Sequence, residues 1–591
     1  MSVSSWIKID EAYLLDFEAA EVNPSDILAY FDGRPPNWSD IASEIPPRRA
    51  IVADLAASLS AKNPAARVGR VLLVLGPSGE GKSTVLMQVA HELSQLDSAQ
   101  VLWRSAGASL QLDDVANLPK GPRYFLVADD ADEIARSIYV SVAKVPRTDV
   151  TFLLAARTVD WAAIGGTTWP WRSKVGFREV ALRGLDPDDA VLIVQAWEAH
   201  GQDGLRQLAA IDRSQRVEQL LAATRDETVA TEGALLGGML RVRYGEFLND
   251  RIRSLLRALV GRRIGRKASL ATALLHISAA HTAGLDLSPK VLAEILDVDP
   301  HSVVSEVILP LRDEAVVSAK TDSVSTRHRL IADSVLSVAS DFNADLTEIY
   351  ASIARAAMRI GKHEFVPGYE GYSHLSRRIE HRWPLAAIAA ARVATEEDAE
   401  VLPYIHNLSH VLRLAGRLEE ASYVCRQAAL RMSKLRSRPH GYRTFYFEWA
   451  SIEGALGSRA ISVWISAVSL SDQRGWDQPS LKQIEMSLAL IGDALLTLVG
   501  PKSQSDTVLL GIRAVELLSK RFDPSPRARG VFHKLREFCD RSNVEMVPES
   551  SCIQVLSEAV REAWKNREHD LNGLPSGERV SFDGLTNALG L

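Results

Sequence analysis

Cysteine is scarce in this chain, with three residues in 591, at Cys425, Cys539 and Cys552. They make no CxxC pair, which excludes a disulfide framework and a thiolate zinc site and suits a reducing compartment. Apolar runs of the ~18 residues that a membrane span requires are missing. The opening stretch MSVSSWIKIDEAYLLDFEAAEV is acidic where a secretory leader is basic and then apolar. A large charge excess is absent too. The 68 basic residues against 74 acidic ones leave −6, which argues against a protein devoted to wrapping nucleic acid. One basic stretch, Arg251 to Lys267, carries seven cations in seventeen positions and reads as a solvated helix face entering a connector. What these absences leave is a cytoplasmic globular protein, and the length suits about four domains.

Against that background one loop stands out. GPSGEGKST, Gly76 to Thr84, fits GxxxxGK[ST], with the apolar run RVLLVL before it and the amphipathic STVLMQVAHEL after it. Strand, glycine loop and helix N-terminus form the context in which this motif holds a phosphate. Gly76, Gly79 and Gly81 let the backbone turn its N–H groups inward, with Pro77, Ser78 and Glu80 between them, and the helix dipole favours the same negative charge. Lys82 is expected to reach the β- and γ-phosphates and Ser83 to ligate Mg²⁺, with Thr84 completing the motif. The expected ligands are ATP or ADP with Mg²⁺; the competing account is a chance glycine turn.

A second carboxylate for that metal comes from RYFLVADDADE, an apolar run ending in Asp129 and Asp130. Placed on a strand neighbouring the loop strand, Asp129 would hold Mg²⁺ and Asp130 would orient or activate water. Asp132 and Glu133 read as solvated acids at a helix start. AQVLWRS lies between RVLLVL and RYFLVADDADE, and VTFLLAART and FREVAL come after them at βα spacing, so an α/β fold with a five-stranded parallel sheet is expected. VTFLLAART ends in Arg157, a cation at the carboxyl edge where ligands of such sheets bind, and reads as a γ-phosphate sensor.

The apolar run ending in Asp-Asp, the strand ending in Arg157, and then LRGLDPDDAVLIVQAW together resemble the STAND class of signal-transducing P-loop NTPases. In that class a leucine-rich turn with acidic residues opens a small helical domain, and Gly184 to Trp197 stands at the matching place. FDGRPPNWSDIASEIPPRRAIVADLAASL is similar to the lead-in of bacterial STAND proteins, often encoded with antiphage defence effectors. That likeness implies that Pro47, Arg48 and Arg49 flank the adenine; a structural linker is the competing account.

From about residue 285 to 340, two short helices lead to AVVSAK, a polar turn, and VSTRHRLIA, a winged-helix pattern. The presumed second helix, HSVVSEVILPL, is apolar and is expected to be buried, which favours a switch module over a DNA reader. The resemblance implies that His328 touches the β-phosphate of ADP. This chain reads Arg-His-Arg there, where many relatives have Met-His-Asp, and it offers EGALLGGML in place of a Gly-x-Pro.

After residue 340 the pattern is helical throughout. NLSHVLRLAGRLEEASYVCRQAALRM matches a tetratricopeptide repeat, with small Ser409, Gly416, Ala421 and Ala428 where two antiparallel helices approach. Ala460 and Ala467 repeat the spacing of Ala421 and Ala428. Stacked helix pairs offer a surface for a protein or peptide trigger. His363, His374 and His381 lack metal-ligand spacing, and the last stretch, GERVSFDGLTNALGL, shows no DNA-reading helix.

The expected organisation is a lead-in (1–50), an NTPase core (51–185), a helical lid (186–268), a winged helix (269–342) and tetratricopeptide-like repeats (343–591). The expected function is a slow ATPase acting as a signalling switch that forms homo-oligomers when activated. Its effector is expected in a separate chain, since the lead-in is too short for a nuclease, sirtuin or protease domain. Neither membrane nor nucleic acid is an expected partner. A transcriptional regulator and a nucleotide-stabilised scaffold remain the alternatives. A small-molecule kinase lacks its arginine-rich lid here, and an ABC-type motor lacks its signature sequence.

Overall fold

The computed structural model describes residues 6–18, 23–61, 69–105, 108–145, 147–230, 235–265, 268–314, 316–319, 322–366, 369–432, 439–471, 479–499, 505–544 and 547–565. The stretch before Leu235 in EGALLGGML and the terminal GERVSFDGLTNALGL lie outside them. The contacts divide the chain into two compact units, residues 1–344 and 345–591.

In the first unit six strands form one sheet: β1 (Trp6–Ile9), β2 (Arg70–Gly76), β3 (Ala99–Arg104), β4 (Arg123–Ala128), β5 (Val150–Arg157) and β6 (Gly176–Ala181). Their order is β1-β3-β4-β5-β2-β6. The last five run parallel; β2, β4 and β5 are covered on both faces, as their apolar runs predict, whereas the edge strand β6 is largely exposed. Two features depart from the sequence reading. The lead-in supplies a sixth strand, β1, antiparallel to β3 with Trp6 opposite Arg104; four residues are too few to display a strand period. And the strand that ends before Asp129 does not neighbour the loop strand. β5 lies between β4 and β2, so Gly76 pairs with Arg157.

One face of the sheet is covered by Ala50–Ser60 and Lys82–Ser94, through Val52, Leu55, Leu59, Val85, Leu86 and Val89. The other packs Ala135–Lys144 and the buried Trp161 and Trp171. A third apolar cluster joins the helices Pro187–Glu198, Arg213–Ala230 and Leu235–Tyr244 around Trp197. The lead-in helix Pro24–Phe31 contributes Phe31 to it. The next residue, Asp32, is buried and binds Arg243, Tyr244 Oη (2.6 Å) and Arg251 (2.9 Å). The basic stretch is therefore not simply a solvated face: Arg251 meets Asp32, Arg253 meets Asp341 and Arg262 meets Glu314.

Residues 268–337 form a module of helices, Leu270–Thr282, Pro289–Leu296 and Leu309–Asp313, with an antiparallel hairpin of Val317–Ala319 and Val324–Thr326 and a closing helix Arg329–Ser337. The stretch HSVVSEVILPL, expected to be buried, is only half so. Val303, Val307, Ile308 and Leu311 are buried, whereas Val304 and Leu309 are 50% and 44% exposed.

Described by itself, the second unit is built from helices among its described residues. Leu402–Leu414 and Leu418–Met432 pack as a pair across a turn in which Gly416 takes φ +74°. Ser409, Ala421 and Ala428 are buried where the two helices approach. The next pair, Tyr442–Ala455 and Arg459–Ser471, repeats this with Ala460 and Ala467. All three cysteines lie in this unit, buried and unbridged.

Candidate functional site

The site begins where β2 ends. Gly79 and Gly81 adopt φ of +83° and +82°, in the left-handed region that a side chain disfavours. A Cβ on Gly76 would sit 2.4 Å from the Leu182 carbonyl oxygen. The loop then opens the helix Lys82–Ser94, which has no side-chain cap at Gly81, so its first N–H groups are left for a ligand as at any helix start. Lys82 lies across the loop, donating from Nζ to the Pro77 carbonyl at 2.6 Å. Burial pulls its ammonium below the usual lysine range, Asp129 opposes that shift, and Arg157 adds to it. Thr84 Oγ1 stands 3.4 Å from Tyr30 Oη.

A cavity of about 180 Å³ opens over this loop, lined among others by Ser78, Lys82, Ser83, Asp129, Asp130 and Arg157. The residues that sequence spacing singles out are thus brought together at one sheet edge. Asp130 has φ +46° and donates its N–H to Asp129 Oδ1 at 3.1 Å. Arg104, at the end of β3, holds the carbonyls of Asp129 (3.3 Å) and Asp130 (3.4 Å) and pairs with Glu133 at 2.6 Å. Glu133, exposed at a helix start as expected, is also an ion-pair partner. Arg104 escaped the sequence reading, although it too is a cation ending a strand at this edge.

Two parts of the unit grip the loop. From the helical segment, Leu236 N–H donates to the Gly79 carbonyl at 3.1 Å. The Glu80 carboxylate, 1% exposed, accepts from Gly184 N–H (3.1 Å) and Leu235 N–H (3.2 Å). Arg49 completes this clamp, binding the Glu80 carbonyl (3.0 Å), the Gly184 carbonyl (3.1 Å) and Asp189 (2.9 Å). Arg48 is placed elsewhere. Its side chain is 59% exposed and pairs with Glu92 at 2.6 Å, outside the cavity lining.

From the 268–337 module, His328 is 4% exposed, and its ring carbon Cδ2 lies 3.6 Å from where a Cβ on Gly79 would stand. Its Nδ1 accepts from Leu330 N–H at 3.2 Å, capping the closing helix. Ser78 Oγ donates to the Arg327 carbonyl at 3.4 Å. Arg157 is shared between the two parts: Nε binds Asp160 at 2.6 Å in the core, and Nη2 binds Asp286 at 3.2 Å in the module.

Left-handed glycines, a lysine across the loop, a hydroxyl at Ser83 and a carboxylate at Asp129 are the donor set that a polyphosphate with a hard divalent cation takes. Fold and loop together define a P-loop NTPase core. Within the chain, residues 28–169 match the family described as Novel STAND NTPase 5. Comparison with curated proteins finds no match. Among solved structures, the chain is similar to a STAND protein with a tetratricopeptide repeat sensor from Pyrococcus horikoshii. The identity is 10% and the TM-score 0.25, over 87% of this chain and 80% of that one. The ORC2 protein of Aeropyrum pernix aligns at 14% identity and TM-score 0.24, over 50% of this chain and 96% of its own. A RuvB mutant of Thermotoga maritima aligns at 15% identity and TM-score 0.21, over 53% and 99%. At TM-scores this low these likenesses carry no argument about fold or function. No helix among the described residues is long and apolar enough to cross a membrane.

Proposed function

We propose that this chain is an ATP-binding switch, in which nucleotide at Gly76–Thr84 controls how the 268–337 module docks on the core. The observation that carries this reading is the grip on the loop. Ser78, Gly79 and Arg157 meet Arg327, His328 and Asp286 of the module, so a change in the loop's occupancy is felt at the docking contacts. Lys82 would bind the phosphates, Ser83 and Asp129 would hold Mg²⁺, and Asp130 would orient water. Mg²⁺ supplies charge neutralisation of the phosphates. Arg157 has a dual part in this reading: a terminal phosphate competes with Asp286 for its guanidinium, so the triphosphate loosens the module where the diphosphate leaves it closed. His328, buried over Gly79, belongs to that closed state.

In this account the 268–337 module acts as a winged helix, and the 345–591 helices receive a protein or peptide trigger that releases it. Release leads to self-association and to engagement of an effector in another chain. The proposed domain limits are those read from the sequence. Reversing a 1:99 equilibrium takes about 5.5 kcal/mol of differential binding, within the range of a protein–protein surface.

The reading is tested by thermal melts of the full chain with ADP or ATP and Mg²⁺. Nucleotide at 100 times its dissociation constant stabilises by about 2.7 kcal/mol, and Lys82→Ala abolishes the shift. An unchanged melt of the folded wild type would contradict it. Turnover is expected to be slow, with Asp130→Asn trapping the triphosphate. Sustained hydrolysis near a typical enzyme rate of about 10 s⁻¹ without any partner would favour a motor or kinase. Should nucleotide stabilise the chain and leave module docking untouched, a nucleotide-stabilised scaffold is the better reading.

A further inference from the structure

The cavity over the loop contains a cation to which nothing above gives a part. Arg327 follows the second hairpin strand. Its N–H donates to the Val316 carbonyl at 3.0 Å, and its own carbonyl accepts from Ser78 Oγ at 3.4 Å. These backbone bonds fix the residue against both the hairpin and the loop. Arg327 is among the residues that line the same cavity as Lys82, Ser83 and Arg157. Among the described residues, Arg327 Nη1 is buried with no hydrogen-bond partner.

The surroundings sharpen the anomaly. The buried arginines Arg49, Arg104 and Arg243 of this unit meet a carboxylate, on Asp189, Glu133 and Asp32, whereas Arg327, half-buried as a residue, has its buried Nη1 without one. The charged groups that act on Arg327 are instead Arg34 and Arg312, both cations, with Tyr30 alone in the opposite sense. Burial pushes its guanidinium down to about 10, with the two cations adding to the shift and Tyr30 opposing it. A desolvated charge without a counter-charge is costly, and proteins avoid it unless something pairs with it. The planar guanidinium fork matches phosphate geometry. An anion entering this cavity is the partner that the protein itself does not provide.

We propose that Arg327 is a phosphate ligand supplied by the hairpin module: it binds the phosphate tail of a nucleoside diphosphate held by Gly76–Thr84 and so ties the docked module to a diphosphate-occupied loop. This rests on the reading of the loop as a nucleotide site and adds to it a contact from the opposite wall. Nucleotide is then shared between core and module, and neither holds it fully alone.

The test is calorimetric titration of the full chain with ADP and with inorganic pyrophosphate, a probe that lacks base and sugar. The variants are Arg327→Met, close in size and uncharged, Arg327→Lys, and Lys82→Ala. Arg327→Met is expected to weaken both ligands roughly tenfold or more, as loss of a charged hydrogen bond does, and Arg327→Lys to recover part of that. Melting of the ligand-free Arg327→Met chain is expected at or above the wild-type temperature, because no protein partner is lost. If Arg327→Met binds both ligands as wild type does while Lys82→Ala does not, Arg327 is no ligand and the nucleotide reading of the loop stands. If Lys82→Ala also binds normally, that reading itself fails. A lowered ligand-free melting temperature with an unchanged ligand-induced shift would make Arg327 a structural residue and overturn the proposal.

Discussion

Glu80 shows how a motif position can carry two duties. Its place in the glycine loop is set by the backbone, and its side chain has turned away from the cavity to accept N–H bonds from Gly184 and Leu235. Glu80→Ala would leave the buried Leu235 amide and the half-buried Gly184 amide without this acceptor, at a cost of about 1–3 kcal/mol for the buried one. Denaturant melts should therefore register destabilisation even with no nucleotide present; an unchanged midpoint would contradict the clamp. Asp32 is the stronger case, as it compensates Arg243, whose side chain is 0% exposed, besides Tyr244 and Arg251. Asp32→Ala is expected to cost about 3–5 kcal/mol, the range for breaking a buried pair, and the double variant with Arg243→Met to recover a large part. Of these residues the sequence disclosed only some. Lys82, Ser83 and Asp129 are legible because phosphate chemistry ties them to a fixed local spacing. Arg49, Arg104 and the second duty of Glu80 are not, because their partners are distant: Gly184 is 104 positions from Glu80 and Leu235 is 155.

Elements were legible where burial imposed a pattern. β2 and β5 are covered on both faces and read as unbroken apolar runs. The sheet order was not legible, since hydrophobicity tells that a strand is central without naming its neighbours. β1 was missed for its brevity, and HSVVSEVILPL was read as more buried than it is, because Val304 and Leu309 are apolar yet exposed. The hairpin has a consequence for pH. His281, on the helix Leu270–Thr282, bonds through Nδ1 to Thr326 Oγ1 of the second hairpin strand. Burial lowers it to about 4; Asp286 opposes the shift, and His328, Arg157 and Arg329 add to it. The folded chain thus keeps His281 neutral, while the unfolded chain binds a proton near pH 6.5. Because the unfolded state binds more protons between those values, stability falls as pH drops from about 6.5 towards 4. By pH 5 the loss from this group reaches about 2 kcal/mol. Urea melts at pH 7 and pH 5 measure it, and His281→Gln should reduce the difference. An equal acid loss in the variant would exclude His281 as its source.

At the scale of the whole molecule, two compact units divide the work proposed here. Residues 1–344 hold the loop and the module that meets it, and residues 345–591 supply the stacked helices proposed to receive the trigger. The central claim is that nucleotide at Gly76–Thr84 sets the docking of the 268–337 module. Hydrogen exchange of the full chain tests it most directly, compared with no nucleotide, with ADP, and with ATP and Mg²⁺. Both nucleotides are predicted to protect the loop and the start of the helix Lys82–Ser94. Amides around Asp286 and from Val316 to Leu330 are predicted to be protected with ADP and to exchange faster with ATP and Mg²⁺, as the terminal phosphate draws Arg157 from Asp286. Protection of the loop with identical exchange across the module in every condition would contradict the switch.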